Sequence, residues 1–167
     1  FITRDMVFMK ATATEKEIKK FSLKKRDVII TKDSESWDDI AVPAFVTENL
    51  ENILCGYHLA QIRSISINAK YLFWALYASS INDQYKVETH GITRYGLGKD
   101  AIENSYIPTP ASQEQEEIAN FLDQKTGQIE ILIAKIEREI EQLKDFQTSL
   151  ISEVVTGKID VRGYWTD

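Results

Sequence analysis

Apolar and polar positions along this chain follow two regimes that meet near residue 110. Upstream, short apolar runs alternate with polar turns. "DVIITK" (Asp27–Lys32) is a β-branched run and predicts a strand. "AVPAFV" (Ala41–Val46) predicts a second, with Pro43 confining it to an edge or bulge position. "YHLAQIRSISI" (Tyr57–Ile67) alternates in part and predicts a third, while "KDSESWDD" (Lys32–Asp39) is polar and turn-like. The period then changes. In "NAKYLFWALYASS", Asn68 is placed to cap a helix whose apolar face holds Tyr71, Leu72, Trp74, Ala75 and Ala78. "INDQYKVE" continues as a second short helix. Thr89–Pro110, with glycines at 91, 96 and 98, reads as loop, a helical turn near Lys99–Asn104, and an extended exit. Between Phe1 and Lys25 only a strand near Met6–Met9 is predicted.

Downstream, Pro108 and Pro110 exclude helix, and Ser112 with Gln115 fits a capping box preceding an acidic first turn. One series of positions then steps by four and three through Leu122, Thr126, Ile129, Ile133, Ile136, Ile140, Leu143, Gln147, Leu150 and Val154. This is a heptad seam with two polar positions, Thr126 and Gln147, of the kind that set register or partner choice. Charged residues such as Glu130, Lys135, Glu137, Glu139, Glu141 and Lys144 lie off it. A helix of roughly 65 Å at ~1.5 Å per residue cannot bury such a seam alone. The alternatives are a helix folded back on its own domain or a hairpin broken at Gly127. The seam keeps its phase across Gly127, and a coiled coil with another helix fits better. The fold class expected is α+β: a mixed module over residues 1–110, then a long helix and tail over 111–167.

Composition sharpens this division. The 167 residues are 43% apolar, enough for a packed core. Residues 1–110 carry 14 Lys+Arg against 14 Asp+Glu, whereas residues 111–167 carry 6 against 12, so the whole net charge of −6 sits on the helical part. A neutral module can still present a basic face, while an acidic helix is a poor phosphate binder. The single cysteine, Cys55, forms no internal disulfide and reads as an inert thiol; with no apolar leader or membrane span, the cytoplasm is expected. The chain begins at Phe1 rather than Met, which reads as a fragment or a lost start.

Catalytic signatures are missing: no phosphate loop, no glycine-rich strand-to-helix turn for a cofactor, no metal-ligand spacing around His58 or His90. No catalytic residue, cofactor or metal is expected. The most suggestive polar stretch is "THGITRYGLGK" (Thr89–Lys99), which combines His90, Thr93, Arg94 and Tyr95 with flexible glycines. Arg can read a base edge with two hydrogen bonds, Thr can meet phosphate or a methyl group, and Tyr can stack. The alternative is that Thr93 and Arg94 only fix the loop. Lys32 is a further candidate contact. The Lys-rich run "KKFSLKKRD" (Lys19–Asp27) suits a phosphate-facing edge or a solvated turn, and Trp37 suits either an exposed contact or a place under the sheet.

The segment "IPTPASQEQEEIANFLDQKTGQIEILIAKIEREIEQLKDFQTSLISEVVTGKIDVR" resembles the helical region of type I restriction–modification specificity subunits. The resemblance lies at Pro108, Pro110, Glu114, Gln115, Ile118–Asp123 and Ser149–Arg162. "HGITRYGL" (His90–Leu97) looks like the Gly-x-Thr-Arg segment that closes a target-recognition domain in that family. "DVIITKDSE" looks like its Gly-Asp-hydrophobic strand, with Arg26 where glycine is usual. The likeness covers most of residues 24–163 and is poor over residues 1–23. It implies a non-catalytic subunit that reads one half of a split site on double-stranded DNA. Its helix would act as spacer and docking strut for methyltransferase subunits and a restriction subunit. Full-length members carry two recognition domains and two helices; one of each here implies a half-subunit or fragment. Two copies pairing antiparallel would make a homodimer that reads an inverted repeat. The alternative function is an interaction scaffold whose module no longer reads DNA.

Overall fold

A computed structural model describes residues 1–91 and 93–164. The chain divides into two compact units, Phe1–Phe121 and Leu122–Asp167. The first is α+β. Its centre is the strand β2 (Val28–Thr31), after α1 (Glu15–Phe21) and β1 (Ser22–Leu23). Behind β2 come β3 (Asp33–Ser34), a 3-10 turn at Trp37–Asp39, β4 (Pro43–Phe45), β5 (Leu50–Leu54) and β6 (Leu59–Ile62). The helices α2 (Ala69–Tyr77) and α3 (Ser79–Val87), the strand β7 (Tyr95–Gly96), the helix α4 (Lys99–Glu103) and the helix α5 (Ser112–Val155) complete the order.

The sheets are small and antiparallel. One runs β4-β2-β6, and β1-β5 and β3-β7 form two further ladders. Pro43 sits on the edge strand β4, opposite Ile30, where its missing N–H costs no central ladder bond. Strand β2 is buried on both faces, which explains its unbroken apolar run. Val28 and Ile30 enter the main core with Phe45, Tyr71, Leu72, Phe73, Leu76, Ile81 and Tyr85. Ile29 faces the other way, toward Leu23, Val46 and Leu50.

Helix α2 begins where Asn68 accepts from the N–H groups of Lys70 and Tyr71, as its sequence predicts. Its buried face differs from the expected one. Phe73 and Leu76 are buried, whereas Trp74 is only partly covered and Ala78 is the exposed junction between α2 and α3. The helix stops at Tyr77, so the period cannot carry Ala78 inward.

The expected strand at Met6–Met9 does not form. Val7 and Met9 are exposed, and the nearby pairing is a single bridge from Ile2 to Val46. Ordered structure there comes instead from α1, capped by Thr14 and Glu17 in a reciprocal box. The capping box expected at Ser112 is also absent. Gln115 is buried and turned away: its Oε1 accepts from the Asn68 N–H (2.8 Å) and its Nε2 donates to Pro110 O (2.8 Å). Tyr71 Oη donates to Pro108 O at 2.8 Å. These bonds and the buried Ala119 explain why the start of α5 belongs to the first unit.

Arg26 occupies the left-handed region at φ +76°, with its N–H bonded to Val46 O at 2.9 Å. A side chain there costs about 1 kcal/mol over glycine. Arg26→Gly is therefore expected to raise stability by about 1 kcal/mol in urea unfolding, since the Arg26 side chain is exposed.

The helix α5 continues through Gly127 without a break over 44 residues, about 66 Å at ~1.5 Å per residue. The hairpin alternative is thereby overturned. Within the second unit, the seam residues Ile129, Ile133, Ile136, Ile140, Leu143 and Leu150 are 39–65% exposed. Leu143 and Leu150 also line a shallow apolar groove with Phe146. Thr126 satisfies its hydroxyl within the helix, donating to Leu122 O at 2.6 Å.

Candidate nucleic-acid interface

Backbone pairing brings three distant segments to one place. The Lys32 and Asp33 N–H groups both donate to His58 O, at 2.8 and 3.3 Å, and the Leu97 N–H donates to Lys32 O at 2.8 Å. Strand β3 pairs with β7, setting Asp33 opposite Gly96. His90 and Gly96 exchange backbone bonds of 3.2 and 3.0 Å and close the loop that carries Arg94. Gly91 makes that closure possible. Its φ is +134°, and a Cβ there would come within 1.9 Å of Arg94 O.

The result is a concave face lined by Asp33, Tyr57, His58, His90, Arg94, Tyr95 and Gly96. At its centre Arg94 Nε donates to Asp33 Oδ1 at 3.0 Å, and Arg94 Nη2 lies 3.1 Å from His58 Nδ1. His58 Nδ1 also bonds to the same oxygen of Asp33. Burial opposes ionisation of Asp33, but the hydrogen bonds from His58 and Arg94 outweigh it and hold the carboxyl below its usual range. The carboxylate is thus charged at neutral pH and anchors the arginine. Beside it, Lys32 Nζ stands 4.7 Å from the centroid of the Tyr57 ring, and Tyr57 is 82% exposed.

The structure thus gathers His90, Arg94 and Tyr95 and places Lys32 against their rim through Tyr57. Thr93 lies at an exposed bend and is not part of the lining. Tyr95 packs partly against the core. Sequence reasoning missed Asp33, Tyr57 and His58. His58 lies 25 residues from Asp33 in sequence, and only the β2–β6 pairing and the backbone bonds to His58 O bring the two together. Trp37 adopts an intermediate place. Its Nε1 donates to Lys86 O at 3.2 Å, and the Lys86 ammonium covers its half-exposed ring. Of the Lys-rich run, Lys24, Lys25 and Arg26 are exposed around the turn before β2.

No described group of three or more His, Cys, Asp or Glu is placed to hold a metal ion. Burial pushes the Cys55 thiol up to about 11, and the nearby Asp27 charge adds to the effect, so it stays protonated at neutral pH. Among the described residues, no helix is long and apolar enough to cross a membrane.

A family model described as the type I restriction modification DNA specificity domain matches residues 4–142. The chain belongs to this family. A curated relative, the type I restriction enzyme EcoBI specificity subunit of Escherichia coli, is 27% identical over 101 residues. That match covers 59% of this chain and 20% of the relative. Two solved structures share the fold of this specificity-domain chain. One is the type I restriction-modification system S subunit from M. genitalium (TM-score 0.56, 19% identity, 80% of this chain and 34% of that one). The other is the HsdS subunit from Thermoanaerobacter tengcongensis (TM-score 0.57, 17% identity, 87% of this chain and 36% of that one). The specificity-domain chain therefore spans about a third of the solved structures and a fifth of the curated relative.

Proposed function

We propose that this chain is a non-catalytic DNA-recognition subunit of a type I restriction–modification complex, whose module reads one half-site on double-stranded DNA. The observation that carries the reading is the concave face of a specificity-domain module on which Arg94, His58, His90, Tyr57 and Lys32 converge. Arg, His and Lys bring positive charge or donors to phosphates and base edges, and an exposed Tyr offers a stacking surface. The contacts assigned are Arg94, His90, Tyr95 and Lys32, with Thr93 at the neighbouring bend.

The second unit acts as spacer and docking strut. Its acidic charge suits protein partners better than DNA, and its exposed seam suits another helix. A second copy of the chain fills that seam. In an antiparallel pair centred on Arg138, every seam position meets another: Leu122 with Val154, Thr126 with Leu150, Ile129 with Gln147, Ile133 with Leu143, and Ile136 with Ile140. Two modules held this way would read an inverted repeat, with methyltransferase subunits and a restriction subunit docked on the helices.

The test is selection from a random duplex library. The chain is assembled with type I methyltransferase subunits, and bound DNA is sequenced. Enrichment of a two-part motif is expected; recovery of the library unchanged refutes DNA reading.

A further inference from the structure

The guanidinium of Arg94 has two donor edges, and Asp33, with His58 bonded to the same carboxylate oxygen, covers one of them. Nε is taken by Asp33 Oδ1 at 3.0 Å, and Nη2 faces His58 Nδ1 at 3.1 Å. The side chain is nonetheless 48% exposed, which leaves the terminal Nη1–Nη2 edge as the pair of donors for a ligand. Asp33 is itself fixed. Its side chain is only 14% exposed, its backbone lies in the β3–β7 ladder, and its N–H is held by His58 O. A long, rotamer-rich side chain is thus locked at its base before any partner arrives, and less freedom is lost on binding.

A locked planar fork suits a planar pair of acceptors. The O6 and N7 atoms of guanine, in the major groove, present such a pair at the spacing of two parallel N–H bonds. A lone phosphate needs no such lock, because a mobile lysine meets it as a point charge. Lys32 fits that second role: its ammonium stands over the exposed Tyr57 ring at the rim of the same face.

We infer that Asp33, itself bonded to His58, is the positioning residue that holds Arg94 to read a guanine through its terminal edge, while Lys32 supplies the adjoining backbone contact. This rests on the reading that the module binds DNA.

The assembled complex of full chain and methyltransferase subunits is tested on random duplexes at several salt concentrations. Arg94→Lys keeps the charge but loses the fork. Asp33→Asn keeps the shape but loosens the anchor and removes a negative charge. Both are expected to lose preference for guanine at one position by about ten-fold, with the salt dependence of binding unchanged. Asp33→Asn should also bind non-target DNA at least as tightly as the parent, an effect a folding defect does not produce. Preference retained in both variants overturns the inference, as does uniform weakening across all sequences with a shallower salt slope, the signature of a phosphate contact. No base preference at any position in the parent complex would instead sink DNA reading itself, and this inference with it.

Discussion

If the seam pairs with a second copy as proposed, aspartate at both Ile136 and Ile140 is expected to leave the chain monomeric at concentrations where the parent dimerises. The two residues lie at the middle of the seam and would face one another in the proposed antiparallel pair, so two-fold symmetry would double every loss. Removing a buried isoleucine side chain costs about 2–5 kcal/mol, and four carboxylates brought together in an apolar layer add a desolvation cost. Even a total of about 5 kcal/mol weakens association by more than three decades, at about 1.4 kcal/mol per decade. Light scattering or sedimentation across the micromolar range reads this directly. Both positions are already about half exposed in the single chain, so its circular dichroism should change little. A parent chain that is itself monomeric across that range would refute pairing with a second copy.

Loss of the Asp27 carboxylate is expected to damage the module severely for a change that removes no side-chain volume. Asp27 is 1% exposed. Its two oxygens accept from Arg63 Nε (2.7 Å) and Nη2 (2.8 Å), from Gln61 Nε2 (2.6 Å) and from the Lys24 N–H (2.7 Å). These bonds tie the turn before β2 to β6. Breaking a buried pair costs about 3–5 kcal/mol when it strands a charge. Arg63 is 46% exposed and water can still reach it, so Asp27→Asn should cost about 2–3 kcal/mol in denaturant unfolding. The acid side gives a second check. Burial alone would raise the Asp27 carboxyl, but Arg63, the Lys24 N–H and Gln61 together hold it below its ordinary value. Its contribution is therefore complete above the unfolded carboxyl range, near pH 4, and is lost as pH falls through the lower folded value. The stability gap between parent and Asp27→Asn should stay constant at neutral pH and close below about pH 4.

The most legible elements were those specified by local period. The unbroken apolar run of β2, the cap at Asn68 and the seven-residue seam each announce themselves within one short window. The capping box at Thr14 is just as local, but the seven-residue helix it opens buries no residue and so carries no apolar period to accompany it. Strand β5 was not legible: in "LENIL" only Leu50 is fully buried, and the element exists because β1 pairs with it. The candidate site was legible on one side only. "HGITRYGL" identified Arg94, but its anchors lie 61 and 36 residues away in sequence.

By itself, then, the sequence determined an α+β module, a 44-residue helix and the heptad phase of its seam. Helical and strand periods are properties of neighbouring residues and survive without knowledge of the rest. The tertiary structure alone decided that Gln115 bonds Asn68 instead of capping its own helix, that Arg26 adopts a left-handed turn, and that Asp33, bonded to His58, holds Arg94. Each of those depends on which backbone groups two distant segments leave for one another, and no local period encodes that.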